Sequence, residues 1–253
     1  MYFSTTNDTI KNVTKTEIIR YLILRSIGNF LVLFAVFGVV ATFGPALYYE
    51  ISFKIVQARG VHYQVYEPKE TTSPLGEILK QQKIGSIKVY NGGFADVLAG
   101  PKEQILIPSD TSFSILIPKI GANARVFANI DASNENEFLP ILQKGVAHAK
   151  GTVFPGMKGN IYLFAHSTDS FWNVGRYNAI FYLLKDLQPG DDVVVFFQNK
   201  RHNYVVTGSK VVDSTDVSYI VDAQNQGAEI LILQTCWPPG TTWKRLFVFA
   251  KPK

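Results

Sequence analysis

The stretch "AEILILQTCWPPGTTWKRLFVFA", Ala228 to Ala250, decides the architecture. Ile230 to Leu233 is apolar on both faces of an extended chain, which predicts a central strand covered on both sides. "WPPG" (237–240) then stops the ladder, because two prolines donate no amide hydrogen and the glycine permits a sharp reversal. "RLFVFA" (245–250) reads as the returning strand. If the two strands pair as an antiparallel hairpin, Cys236, just past the end of the first, and Arg245, opening the second, become cross-strand neighbours. Cys236 is the one cysteine among 253 residues.

Upstream of this hairpin the pattern is regular from about Ile105. "FSILIPKIG" (113–121) and "ARVFANI" (124–130) read as strands joined through glycine and asparagine. "NENEFLPILQKG" (134–145) opens like a capping box, Asn134 with Glu137, and predicts a short helix. "NIYLFA" (160–165) reads as a strand and "RYNAIFYLLKDL" (176–187) as a helix ending at "QPGD". "DVVVFFQ" (192–198), the turn "NKRHN" (199–203) and "YVVTGSKVVD" (204–213) follow. Many short strands with two brief, irregularly placed helices imply an antiparallel or mixed β-barrel or sandwich rather than alternating βαβ units.

From Ile27 to Tyr49 no residue carries a formal charge. At about 1.5 Å per residue this run crosses a bilayer core of roughly 30 Å, so residues 27–49 are expected to form a transmembrane helix. A cleaved signal peptide fits less well, because the run exceeds an h-region of about 7 to 15 residues and no A-x-A site follows. Residues 1–26 hold Lys11, Lys15, Arg20 and Arg25 against Asp8 and Glu17, an excess that keeps the N-terminus cytoplasmic and sends the rest outside. Residues 50–104 mix alternating stretches ("VHYQVY", "SIKVY") with breakers ("SPLG", "NGG", "AGP") and read as a stem or accessory layer before the β domain at 105–253. With 47% hydrophobic and 18% charged residues the chain is not a disordered tail. Its net charge of +5 comes without a basic run interleaved with aromatics, which excludes nucleic acid as the expected partner.

Outside the membrane, a lone cysteine either pairs with another molecule or is kept as a reactive thiol. A neighbouring guanidinium favours the thiolate, and its fork of donors stabilises an oxyanion developing on an attacked carbonyl. An amine leaving group also needs a general acid. Of the four histidines, His62 falls in the stem, His148 follows the first helix and His202 lies in a hairpin turn. His166 stands directly after a strand, as Cys236 does, and is the chosen acid. Each residue has a plainer reading: the cysteine as a small buried hydrophobe, the arginine as a surface strand residue, the histidine as a loop cap. Their conjunction at strand ends of one domain outweighs the three taken singly. No C-x-x-C or H-x-x-x-H spacing occurs, Asp169, Asp191 and Asp192 read as solvated turn residues, and neither metal nor cofactor is expected.

These residues resemble a known family. "LQTCWPPGTTWKRLFVFA" resembles the T-L-x-T-C motif and following arginine strand of sortases, and "GNIYLFAHS" the strand that carries their histidine. "GVAHAKGTVFPGMKGN" (145–160) is similar to the segment leading into it, and the order His, Cys, Arg matches. Ala165 stands where a glycine commonly precedes the histidine, and Gln234 fills the motif's variable place. The resemblance covers roughly 113–251. It implies a mainly β fold, a sortase-like closed barrel with short helices behind an N-terminal transmembrane helix, and His166, Cys236 and Arg245 as catalytic residues. Thr235 is expected to help bind the peptide. The implied activity is a cysteine transpeptidase that cleaves a Leu-Pro-x-Thr-Gly-like sorting signal between Thr and Gly. A thioester on Cys236 would pass the exported protein to an amine acceptor, a cell-wall precursor or a pilin lysine, with no cofactor.

Three other readings compete. An L,D-transpeptidase would carry histidine and glycine almost adjacent to the cysteine and an arginine soon after, and "LQTCWPP" has none of these. A papain-like protease needs its histidine after the cysteine, and residues 237–253 contain none. A membrane-tethered module that binds a peptide without cutting it remains the non-enzymatic alternative.

Overall fold

The hairpin expected between residues 228 and 250 is formed. The computed structural model describes residues 14–65, 98–100, 102–167, 180–221, 227–239 and 241–253. The chain divides into two compact units, Met1–Pro45 and Ala46–Lys253. Among the described residues the first unit consists almost wholly of helix α1 (Lys15–Ala58), whose last turns belong to the second. Over Lys15–Ala41 this helix is long and apolar enough to cross a bilayer. Its Leu, Ile, Val and Phe side chains are exposed all round, as in a helix whose solvent is lipid. The apolar window opens earlier than the 27–49 expected, because Arg20 and Arg25 sit among Ile, Leu and Tyr and interrupt it little. Nor does the helix stop at Glu50; it continues to Ala58.

The second unit is built on eight strands: β3 (Phe113–Ile117), β4 (Ala122–Ile130), β5 (Val146–Ala149), β6 (Gly159–Phe164), β7 (Asp192–Phe197), β8 (Lys200–Asp213), β9 (Glu229–Trp237) and β10 (Lys244–Pro252). They close into a barrel in the order β10-β8-β7-β3-β4-β5-β6-β9. Most pairs are antiparallel, but β4–β5 and β6–β9 are parallel, so the barrel is mixed. Two earlier strands, β1 (His62–Val65) and β2 (Glu103–Leu106), form a separate parallel pair. Tyr63, Val65 and Leu106 of that pair pack on Leu116, Val194 and Phe196 on the outside of the barrel. The described ends of the 50–104 stretch thus brace the barrel wall; "SIKVY" and "NGG" lie outside the described residues.

Alternation along the strands separates two apolar layers. Ile161, Leu163, Leu231, Leu233, Leu246 and Val248 fill the interior, while Tyr162, Phe164, Ile232 and Phe247 form a layer on the outer face. Helix α2 (Glu135–Leu142) covers that outer layer with Phe138, Ile141 and Leu142, and the short α3 (Ser218–Val221) with Tyr219.

Several local expectations need correction. Asn134 is the N-cap of α2 but makes no side-chain capping bond. Glu137 reaches past it to the amide of Asp131, whose carboxylate is held in turn by Ser133. Of the helix expected over 176–187, the described part is a 3-10 turn, Tyr182–Asp186; residues 176–179 lie outside the described residues. Its Lys185 and Tyr182 bond to Glu50, about two turns before the end of α1, and this holds the Glu50 carboxyl below its usual range. The turn after β7 is only Gln198 and Asn199, both left-handed, so His202 lies on β8 opposite Val195 rather than in a loop. Strand β3 ends at Ile117, and Pro118–Ile120 forms a 3-10 turn closed by left-handed Gly121.

Candidate active site

Strand β9 runs to Trp237, so Cys236 lies within the strand and not beyond its end. The ladder continues because the first proline, which cannot donate, comes only at 238. In the β9–β10 register Cys236 stands directly opposite Arg245, with Gln234 opposite Phe247 one row below. Directly opposed residues bring their Cβ atoms to about 4.5–5.5 Å. On the other side of β9, strand β6 runs parallel, pairing Leu163 with Leu233 and Phe164 with Gln234. The ladder extends one step further, the Ala165 amide donating to the Gln234 carbonyl at 3.1 Å. Continued one residue more, the same register sets His166 level with Cys236.

The face is fixed by the same alternation. Ala165, Leu233 and Leu246 point into the barrel core, which turns His166, Gln234, Cys236 and Arg245 to the outer side. Cys236 and Arg245 are thus cross-strand partners at the rim, and His166, two residues past the end of β6, falls level with them on the extended register; each is half-buried. The guanidinium of Arg245 donates from Nη1 to the carbonyls of Thr242 (3.0 Å) and Lys244 (3.2 Å), which braces it against the β9–β10 loop. Nη1 is thereby used on the protein.

Thr235 is 2% exposed, and its hydroxyl donates to the Ala165 carbonyl at 3.0 Å. It is therefore turned to the peptide link before His166, on the interior side of β9. Tyr162 is a buried neighbour of this site that sequence reading missed. It lies two rows below His166 on the same face, and its hydroxyl is 3.5 Å from Gln234 Oε1. Burial pushes its ionisation upward, with the Arg245 charge acting in the opposite sense. The signal was present in "NIYLFAH", where Tyr162, Phe164 and His166 share one parity.

The other histidines stand apart from this row. His148 lies fully buried in β5; its Nε2 bonds the Val153 carbonyl at 3.0 Å and its Nδ1 accepts from the Asn129 amide at 3.3 Å. Its ring stacks on Phe154, with centroids 4.5 Å apart. Burial depresses its affinity for a second proton. His62 opens β1, opposite Glu103 in the separate two-stranded pair. Among the described residues no three His, Cys, Asp or Glu side chains gather as a metal ion would require. Asp191 caps the Gln188 amide and Asp192 pairs with Lys253, while Asp169 lies outside the described residues.

A closed mixed barrel with thiol, imidazole and guanidinium in one rim row holds the groups that thiol-dependent acyl transfer uses. The Sortase domain model matches residues 115–253. Sortase D of Bacillus subtilis (strain 168) is 30% identical over 189 residues, covering 72% of this chain and 86% of that protein. The chain belongs to the sortase family, whose members are generally transpeptidases of cell-wall anchoring or pilus assembly. Among solved structures, sortase C-1 from Actinomyces oris is 24% identical, with a TM-score of 0.48 over 57% of this chain and 76% of that one. Sortase C of Clostridium perfringens, solved with the C-terminal cell wall sorting motif, is 25% identical, with a TM-score of 0.46 over 55% of this chain and 69% of that one.

Proposed function

We propose that this chain is a membrane-anchored cysteine transpeptidase acting on a sorting signal of the Leu-Pro-x-Thr-Gly kind, with Cys236, His166 and Arg245 as its catalytic residues. What carries this reading is the Cys236–Arg245 cross-strand pair, together with the β6–β9 register that, extended two residues past Phe164, sets His166 level with Cys236. The Cys236 thiolate attacks the threonine carbonyl, and its electron pair forms the C–S bond while the carbonyl pair moves to oxygen. Arg245 donates to that oxyanion. As the intermediate collapses, the C–N bond to glycine breaks and His166 gives its proton to the departing amine. A thioester on Cys236 remains. An acceptor amine, from a cell-wall precursor or a pilin lysine, then attacks the thioester; neutral His166 takes its proton and the thiolate leaves.

Thr235 serves the peptide indirectly in this scheme, by holding the Ala165–His166 link against β9. The apolar helix is the anchor, and its basic flank of Lys11, Lys15, Arg20 and Arg25 favours a cytoplasmic N-terminus with the barrel outside. Confining enzyme, exported substrate and a lipid-linked acceptor to one surface raises their effective concentration.

The test is turnover by the full chain in detergent micelles, given Leu-Pro-x-Thr-Gly peptides and a small primary amine. The expected product is the amine joined to the threonine carbonyl, with free glycine-led peptide released in equal amount. Absence of turnover with every peptide, together with a Cys236 inert to thiol reagents in the folded chain, would instead support a binding module.

A further inference from the structure

The row beneath the three catalytic residues consists of Phe164, Gln234 and Phe247, from β6, β9 and β10. Its two aromatic members are covered. Phe164 is 6% exposed beneath the edge of Phe138, and Phe247 is fully buried against Tyr219. Gln234 alone in the row keeps exposed surface. Its carboxamide therefore forms the polar floor between the nucleophile and the apolar layer, two residues from Cys236 on the same face of the same strand.

Tyr162, 4% exposed, sets its hydroxyl 3.5 Å from Gln234 Oε1, at the long limit of a hydrogen bond, on the side of the carboxamide away from Cys236. No hydrogen bond joins Nε2 to another described residue, and its two hydrogens are left for a bound molecule. An apolar ring row would select an apolar residue above it. A donor fixed in the middle of that row selects an acceptor, because a donor covered by an aliphatic group loses its water without replacement.

Resting on the transpeptidase reading, we propose that Gln234 is a specificity-determining residue. Its Nε2 donates to a side-chain oxygen on one residue of the sorting signal, and favours that residue over an aliphatic one of the same shape. Gln234 takes no part in the proton or acyl transfers.

The experiment uses the full chain in detergent with Leu-Pro-x-Thr-Gly peptides. Each position before the glycine is presented in turn as a polar and an aliphatic near-isostere, Thr against Val and Gln against Leu. Wild type, Gln234→Leu and Gln234→Glu are compared by kcat/KM. At one position the wild type is expected to prefer the polar member by about fivefold, the size of one net hydrogen bond. Gln234→Leu should erase that preference at that position alone. Gln234→Glu, which offers acceptors only, should turn it toward a lysine-bearing peptide. Cys236 should alkylate at the wild-type rate in both variants. Selectivity unchanged in both variants at every position overturns the proposal while leaving the transpeptidase reading intact. Failure of the wild type to process any peptide removes both.

Discussion

Replacing Thr235 with valine exchanges one hydroxyl for a methyl of nearly equal volume, so packing is kept and one hydrogen bond is lost. The bond runs from Thr235 Oγ1 to the Ala165 carbonyl at 3.0 Å, between residues 2% and 3% exposed, where water does not replace it. Leaving a buried acceptor without its donor costs about 1–3 kcal/mol. Spread over the whole fold, the lower end of this range would shift Tm by roughly 2–4 °C in a domain of this size. The bond is also a tie between β9 and the peptide link that carries His166, one step past the Ala165 amide rung. Loosened, that link lets the imidazole shift from the Cys236 row, and kcat/KM should fall roughly 5- to 150-fold if the same energy is lost from the transition state. The loss should fall on kcat with KM little changed, since the hydroxyl faces the protein rather than the groove. Thr235→Ser keeps the donor and should recover most of the rate. Peptide transpeptidation by the full chain in detergent, with thermal unfolding alongside, reads both quantities. Thr235→Val within twofold of wild type in kcat/KM, or a serine variant as slow as the valine one, would refute the reasoning.

Arg245→Ala should lower kcat about 10²- to 10³-fold, as loss of an oxyanion donor does, and Arg245→Lys should recover only part, because one ammonium cannot both brace the Thr242 carbonyl and reach the oxyanion; single-turnover acylation measures this. Gly145→Ala should destabilise the barrel by about 1–3 kcal/mol, because a Cβ there would lie 2.4 Å from the Arg125 carbonyl oxygen of the neighbouring strand; denaturant unfolding checks it. His148, buried and neutral, should make stability depend on pH. Its native proton affinity is lowered while the unfolded chain titrates near its ordinary 6.5. Stability is thus fully present above about pH 6.5 and is lost as pH falls from there toward the lowered native value. His202 contributes in the same direction, so the comparison is with His148→Gln, whose Tm should fall less steeply over that window.

What could be read from the sequence was set by short-range pattern. Period-two runs broken by Gly, Pro and Asn gave most strands, and "WPPG" between two such runs gave the β9–β10 hairpin with Cys236 opposite Arg245. Barrel closure was less accessible, because it depends on the parallel pairing of β6 with β9, whose partners are far apart in the chain. Extended two residues past Phe164, that register sets His166 level with Cys236; from sequence its place was argued only from a strand end and a resemblance. The buried character of His148 was hidden because "VAHA" is too short to announce a strand. Asn134 makes no side-chain cap, the Glu137 amide going to its backbone carbonyl, while the Glu137 carboxylate takes the Asp131 amide rather than that of Asn134. The direction of the Thr235 hydroxyl followed from parity once β9 was known to continue to Trp237, and not before.

The most direct test is intact-mass spectrometry of the full chain in detergent, mixed with Leu-Pro-x-Thr-Gly peptides, beside Cys236→Ala. The transpeptidase assignment predicts an acyl adduct on Cys236, labile to hydroxylamine, that disappears when an amine is added and never forms on the alanine variant. An adduct formed equally on Cys236→Ala, or no adduct with any peptide while the folded chain's thiol stays inert, would contradict it.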